Sequence, residues 1–231
     1  MDRLLIEDLK IWKDKSDRKP LILRGARQVG KTWLLKDFGE KCFKDICYVN
    51  FEQKDMLGKI FEGTLSPQRI IEQLSVFHGK KIQPQETLLI FDEVQELPRA
   101  LTSLKYFAEE APEYAICCAG SLLGVALHEG TSFPVGKVDF LDLYPLSFRE
   151  FLMANDEQML VDYIMSGNRD LKVFEEKLID YLKKYFIIGG MPAAILKWLD
   201  THVCFDVDDV QKQILCAYTN AFSKHAPRQM V

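Results

Sequence analysis

Leu21-Ile22-Leu23-Arg24-Gly25-Ala26-Arg27-Gln28-Val29-Gly30-Lys31-Thr32 is the stretch from which the rest of the chain is read. Its last eight residues match G-x-x-x-x-G-K-[ST] in full. Upstream, Leu21 to Leu23 is a short apolar run halted by Gly25; downstream, Leu34, Leu35 and Phe38 recur at helical spacing before Gly39. The order is strand, glycine loop, helix, the setting in which this motif works. A polyphosphate needs a concave ring of backbone N–H groups and a helix N-terminus carrying partial positive charge. Gly25 and Gly30 supply the strained points, and Gly25, Ala26, Arg27, Gln28, Val29, Gly30, Lys31 and Thr32 form the candidate nucleotide-binding set. Lys31 is expected to reach the β- and γ-phosphates as a point charge, and the Thr32 hydroxyl to take one position around Mg²⁺.

Working outward, Ile46 to Phe51, Leu88 to Phe91, Tyr114 to Ala119 and Lys137 to Leu143 read as four further strands. Helical patterns separate them. One starts at Pro67 with Ile70, Ile71, Leu74 and Phe77 inward, another near Pro98 with Leu101, Leu104 and Ala108 along one side. An amphipathic helix through Leu5, Leu9 and Trp12 precedes them all. Parallel strands need crossover connections, so the alternation predicts an α/β fold: a parallel sheet of about five strands flanked by helices. After Pro145 the pattern turns helical, opened by the capping box Ser147-Phe148-Arg149-Glu150 and broken at Ser166-Gly167-Asn168, Gly189-Gly190 and 202–206. The expected division is 1–154 for the α/β core and 155–231 for a small helical region.

Leu88-Leu89-Ile90-Phe91-Asp92-Glu93 places two acids at the end of a buried strand. In open α/β sheets such strand ends lie beside the phosphate loop. There Asp92 is expected to hold Mg²⁺ through its water shell, and Glu93 to orient and polarise an attacking water. A kinase that only transfers a phosphoryl group needs no carboxylate reserved for water, so the pair points to ATP hydrolysis.

The 231 residues, 48% hydrophobic and 28% charged, exclude disorder and rod-like coiled coils. Thirty Lys and Arg against thirty-four Asp and Glu leave a net charge of −4, no footprint for a protein living on phosphate backbones. No apolar run approaches the ~20 residues of a membrane helix, and Met1-Asp2-Arg3 opens no secretory signal, so a cytoplasmic protein is expected. Six cysteines without a CxxC pair read as reduced core thiols. His78, His128, His202 and His225 lack ligand spacing and read as structural or surface groups, and Trp33 reads as core packing.

At Arg24 to Thr32, Asp92-Glu93-Val94-Gln95, Ala119-Gly120-Ser121-Leu122-Leu123-Gly124, Phe133-Pro134-Val135-Gly136 and Tyr144 to Phe151 the chain resembles the AAA-type P-loop ATPases. Within them it is similar to prokaryotic ATP-binding proteins whose AAA-like core precedes a C-terminal domain of unknown function, and which usually run past the position of Val231. The resemblance implies that this chain is truncated or its C-terminal module reduced. It implies a catalytic set of Glu93, Lys31 and Ser121, with Ser121 sensing the γ-phosphate or the attacking water, and Thr32 and Asp92 on the metal. It also implies that Gly190-Met191-Pro192 sets Pro192 near the adenine. Lys137 stands where many relatives have Arg, losing the planar fork. Such enzymes often take an arginine finger from a neighbouring subunit, which makes a homo-oligomer or protein partner an expectation and slow turnover the expectation for an isolated chain. Arg24, Arg27, Arg69, Arg99 and Arg149 are the arginines to be placed.

Three readings follow. The first is a Mg-dependent ATP-hydrolysing switch in which Mg·ATP bridges core and helical region. The second is a module that nucleotide merely stabilises. The third is a DNA-directed ATPase, for which pI 5.7 and only short basic pairs such as Lys80-Lys81 offer no support.

Overall fold

Each apolar run between helix-length segments forms a strand. The computed structural model describes residues 1–52, 54–121, 134, 136–167 and 171–225, without the side chains of 54–56, 121, 171 and 221–225. Strands β1 (Leu21–Gly25), β2 (Asp45–Asn50), β3 (Thr87–Asp92), β4 (Ala115–Ser121) and β5 (Asp139–Asp142) form one sheet in the order β2-β3-β4-β1-β5. Every pairing is parallel. Crossovers explain this: α2 (Lys31–Cys42) links β1 to β2, α3 (Lys54–Ile60) and α4 (Pro67–His78) link β2 to β3, and α5 (Pro98–Glu110) links β3 to β4. Helix α1 (Ile6–Asp14) precedes β1 and buries Leu9 and Trp12, as their spacing predicts.

β3 is buried at every residue, so its sequence is a continuous apolar run rather than an alternating one. On one face Ile22, Val49, Phe91 and Ile116 pack with Ile70 and Leu74 of α4 and Leu101 and Leu104 of α5. Phe77 is 38% exposed, off the inward stripe expected of it. Helix α3 carries no sequence expectation; seven residues hold too few helical turns for a period to show, yet Leu57 and Ile60 are buried.

Contacts divide the chain into two units. One holds Leu5–Ala26 and Gly30–Leu143, the other Met1–Leu4, Arg27–Val29 and Tyr144–Val231. The second unit carries α6 (Phe148–Ala154), α7 (Gln158–Met165), α8 (Glu175–Ile188), α9 (Pro192–Thr201) and α10 (Cys204–His225). The capping box forms: Ser147 Oγ accepts from the Glu150 amide, and the Glu150 carboxylate accepts from the Ser147 amide. That carboxylate also takes the Arg3 guanidinium at 3.0 Å and the Leu4 amide at 2.9 Å. Leu146, Phe151, Ile188, Ile195 and Trp198 make the core of this unit. Gly190 is dictated by close approach: a Cβ there would lie 2.3 Å from the Leu146 carbonyl oxygen.

Two further sequence expectations do not hold. Trp33 is 46% exposed, because the buried stripe of α2 runs through Lys31, Leu34, Leu35 and Phe38 and leaves it outside. Cys47, Cys117 and Cys118 are buried free thiols, but Cys204 and Cys216 are exposed on α10. Burial pushes the Cys47 thiol up to about 12, which leaves it unreactive at neutral pH. His128, Leu122-Leu123-Gly124, Phe133, Val135 and Asn168 lie outside the described residues.

Candidate functional site

The loop between β1 and α2 bends through two left-handed residues, Gln28 at φ 65° and Gly30 at φ 93°. Gly30 makes the second bend without a Cβ clash, whereas Gln28 holds a conformation costly for an L-residue. Gly30 caps α2 without a side-chain hydrogen bond, and no acid sits in the first turn. The helix therefore presents donors and partial positive charge to the loop. Lys31 is 8% exposed, and its ammonium donates to the carbonyls of Gly25 at 2.9 Å and Ala26 at 2.8 Å. Those bonds hold a buried cation at the loop.

Arg27–Val29 belong to the helical unit, and two of its side chains grip this segment. Arg3 Nη1 donates to the Val29 carbonyl at 2.8 Å, and the Tyr218 hydroxyl donates to the Arg27 carbonyl at 2.7 Å. In a trans peptide the carbonyl and the following N–H point opposite ways. Fixing the carbonyls of Arg27 and Val29 thus fixes the N–H groups of Gln28 and Gly30 on the other side. Neither Arg3 nor Tyr218 falls in a motif, so no local sequence signal marks either.

The acidic strand end meets the loop. Asp92, 5% exposed, accepts from Thr32 Oγ1 at 2.8 Å across sixty residues of chain, from Tyr48 Oη at 2.7 Å, and from the Glu93 amide at 3.1 Å. No local signal marks Tyr48 of β2 either; only the alignment of β2 beside β3, Tyr48 opposite Ile90, brings it in. Burial first, then the bond to Asp92, hold its phenol above the ordinary range. Lys36 Nζ stands 3.9 Å from the Tyr48 ring centroid. Glu93 follows at φ 49°, ψ 44°, and its carboxylate accepts from Gln95 Nε2. β4 lies between β1 and β3, and its last residue, Ser121, is in register with Gly25. The Ser121 side chain lies outside the description.

The donor set tests whether a metal fits. Thr32 Oγ1 and Asp92 Oδ2 are two hard oxygens 2.8 Å apart. Among the described residues no group of three or more His, Cys, Asp or Glu could hold a metal. One carboxylate and one hydroxyl, with phosphate and water completing the shell, suits Mg²⁺ and suits neither zinc nor a calcium cage.

Three of the five arginines are engaged outside the loop, and Arg149 has a buried Nε with no hydrogen-bond partner among the described residues. Arg24 makes a two-pronged pair with Asp142 and stacks over Phe140. Arg69 donates to the carbonyls of Ile60, Glu62 and Thr64, and Arg99 to that of Phe61. Lys137 pairs with Glu109 at 2.9 Å. Pro192 sits at the first turn of α9, where its missing N–H costs nothing.

A parallel sheet whose first strand runs through a glycine loop into a lysine-bearing helix, with an acid pair on a strand two places away, defines a P-loop nucleotide-binding protein. A family profile described as an AAA domain matches residues 17–152, and the chain belongs to that family of ATPases. No curated protein matches it. Among solved structures it is similar to the Aeropyrum pernix Orc1 protein in complex with DNA, at 17% identity and TM-score 0.43, over 67% of this chain and 47% of that one. It is similar to Drosophila ORC bound to DNA at 15% identity and TM-score 0.47, over 97% and 68%. It is similar to Cdc6p from Pyrobaculum aerophilum at 15% identity and TM-score 0.43, over 66% and 47%. The chain spans about half the length of the first and third of these. Among the described residues no helix is long and apolar enough to cross a membrane.

Proposed function

We propose that this chain is a Mg-dependent ATPase that works as a nucleotide-controlled switch. The observation that carries the reading is the Thr32–Asp92 hydrogen bond, which joins the phosphate loop to the acidic strand end and leaves Glu93 as the next residue. In this reading the amides of Gly25 to Thr32 and the Lys31 ammonium bind the phosphates, while Thr32 and Asp92 hold Mg²⁺. When bound, the metal neutralises charge on the phosphate oxygens. Glu93 takes one proton from a water whose oxygen bonds the γ-phosphorus; the bond from phosphorus to the bridging oxygen breaks, and its electron pair leaves on ADP. Ser121 is carried as the γ-phosphate sensor and Pro192 as the residue against the base on the family resemblance alone.

Two substitutions test this. Calorimetric titration with Mg·ATP is expected to show saturable binding in the wild type and none in Lys31→Ala. Glu93→Gln is expected to keep ATP affinity and lose turnover by about 10²-fold or more. A chain that binds ATP equally with and without Lys31 overturns the site. One whose turnover survives Glu93→Gln overturns the role of Glu93.

A further inference from the structure

Gln95 belongs to a three-residue 3-10 turn, Val94–Glu96, that follows the acid pair, and it is 7% exposed. Its amide orientation is fixed by chemistry: a carboxylate accepts only, so the group facing Glu93 Oε2 is the Nε2 donor. That leaves Oε1 buried, and among the described residues it accepts from nothing. Buried acceptors are normally paired, and an unpaired one in a native fold calls for an explanation. Because Oε1 and Nε2 hang on one carbon, the orphaned oxygen stands beside the Glu93 carboxylate. Oε1 is buried too completely for a water to touch it, so the unpaired oxygen is what turning Nε2 onto Glu93 costs. The Glu93 backbone is held in the left-handed region, so its carboxylate is aimed by a main chain with little freedom to relax.

We propose that Gln95 is a positioning residue for hydrolysis: its Nε2–H fixes the Glu93 carboxylate that orients the attacking water, at the cost of leaving its own Oε1 unpaired. The inference rests on the assignment of Glu93 above. Glu93 still takes the proton; Gln95 gains and loses none.

The test compares wild type, Glu93→Gln, Gln95→Met and Gln95→Glu by single-turnover hydrolysis with labelled ATP. Each chain is also titrated with Mg·ATP and thermally unfolded. Gln95→Met keeps length and volume and removes both polar ends. It is expected to slow hydrolysis by about 10²-fold with ATP affinity and thermal midpoint unchanged. Gln95→Glu sets a second carboxylate against Glu93. Two such groups share a proton, so the acidic limb of the rate–pH profile is expected to move to higher pH, which reports that the side chain at position 95 stands against Glu93. The inference is overturned if Gln95→Met hydrolyses at the wild-type rate, or if its rate, affinity and midpoint fall together. If Gln95→Met fails to fold, Gln95→Glu decides: an unmoved acidic limb overturns the inference. Wild-type turnover in Glu93→Gln overturns both assignments, whereas loss there with retention in Gln95→Met overturns Gln95 alone.

Discussion

Asp92 accepts hydrogen bonds from Thr32, Tyr48 and the Glu93 amide, and this convergence is what makes the site a site. The Asp92 and Thr32 parts were legible in sequence because each lies in a motif whose spacing is fixed along the chain. Tyr48 was not, because its relation to Asp92 exists only across the sheet. Tyr48→Phe removes one hydroxyl from a buried carboxylate that keeps its other donors. It is expected to lower unfolding free energy by about 1–3 kcal/mol, read by chemical denaturation. Trp33 shows the opposite failure: an aromatic beside a motif invites a core reading, and only the rotation of α2 decides which residues the sheet covers.

At the scale of elements, the capping box of α6 was written in four consecutive residues and forms as written. Its extension was not: Arg3 joins the same carboxylate from 147 residues away. Burial raises the Glu150 carboxyl, but the Ser147 and Leu4 amides and the Arg3 guanidinium outweigh it, so the net shift is below the ordinary 4.5. A carboxyl depressed on folding adds stability above its unfolded value, and that stability is lost as pH falls through the folded value. The thermal midpoint of the wild type is therefore expected to fall between about pH 4.5 and lower pH. Glu150→Gln is expected to be less stable at pH 7, with a flatter profile below pH 4.5. Gly190, read from sequence within a glycine–proline signature, has a packing role: its carbonyl accepts from the Leu146 amide at 2.7 Å and its Cα abuts the same backbone. Gly190→Ala is expected to cost about 1–3 kcal/mol by denaturant unfolding, since backbone cannot yield as a flexible side chain would.

For the molecule as a whole, a ligand that binds only the folded state adds RT ln(1 + [L]/Kd), about 2.7 kcal/mol at a hundredfold excess over Kd. Mg·ATP is thus expected to raise the thermal midpoint of the wild type and leave that of Lys31→Ala unmoved, measured by scanning calorimetry. The sequence by itself determined the parallel α/β class, the phosphate loop, the acid pair and the helical character after Pro145. Local periodicity and short-range motifs are properties of neighbouring residues, and they survive in a one-dimensional reading. Only the tertiary structure decided that β4 separates β1 from β3, that Tyr48 faces Asp92, and that Arg3 and Tyr218 fix the loop's carbonyls. It also decided that Gln95 turns back onto Glu93. The reason is physical: strand order and the pairing of buried polar groups are settled by which packing satisfies the most donors and acceptors at once, and no local stretch of chain encodes that sum.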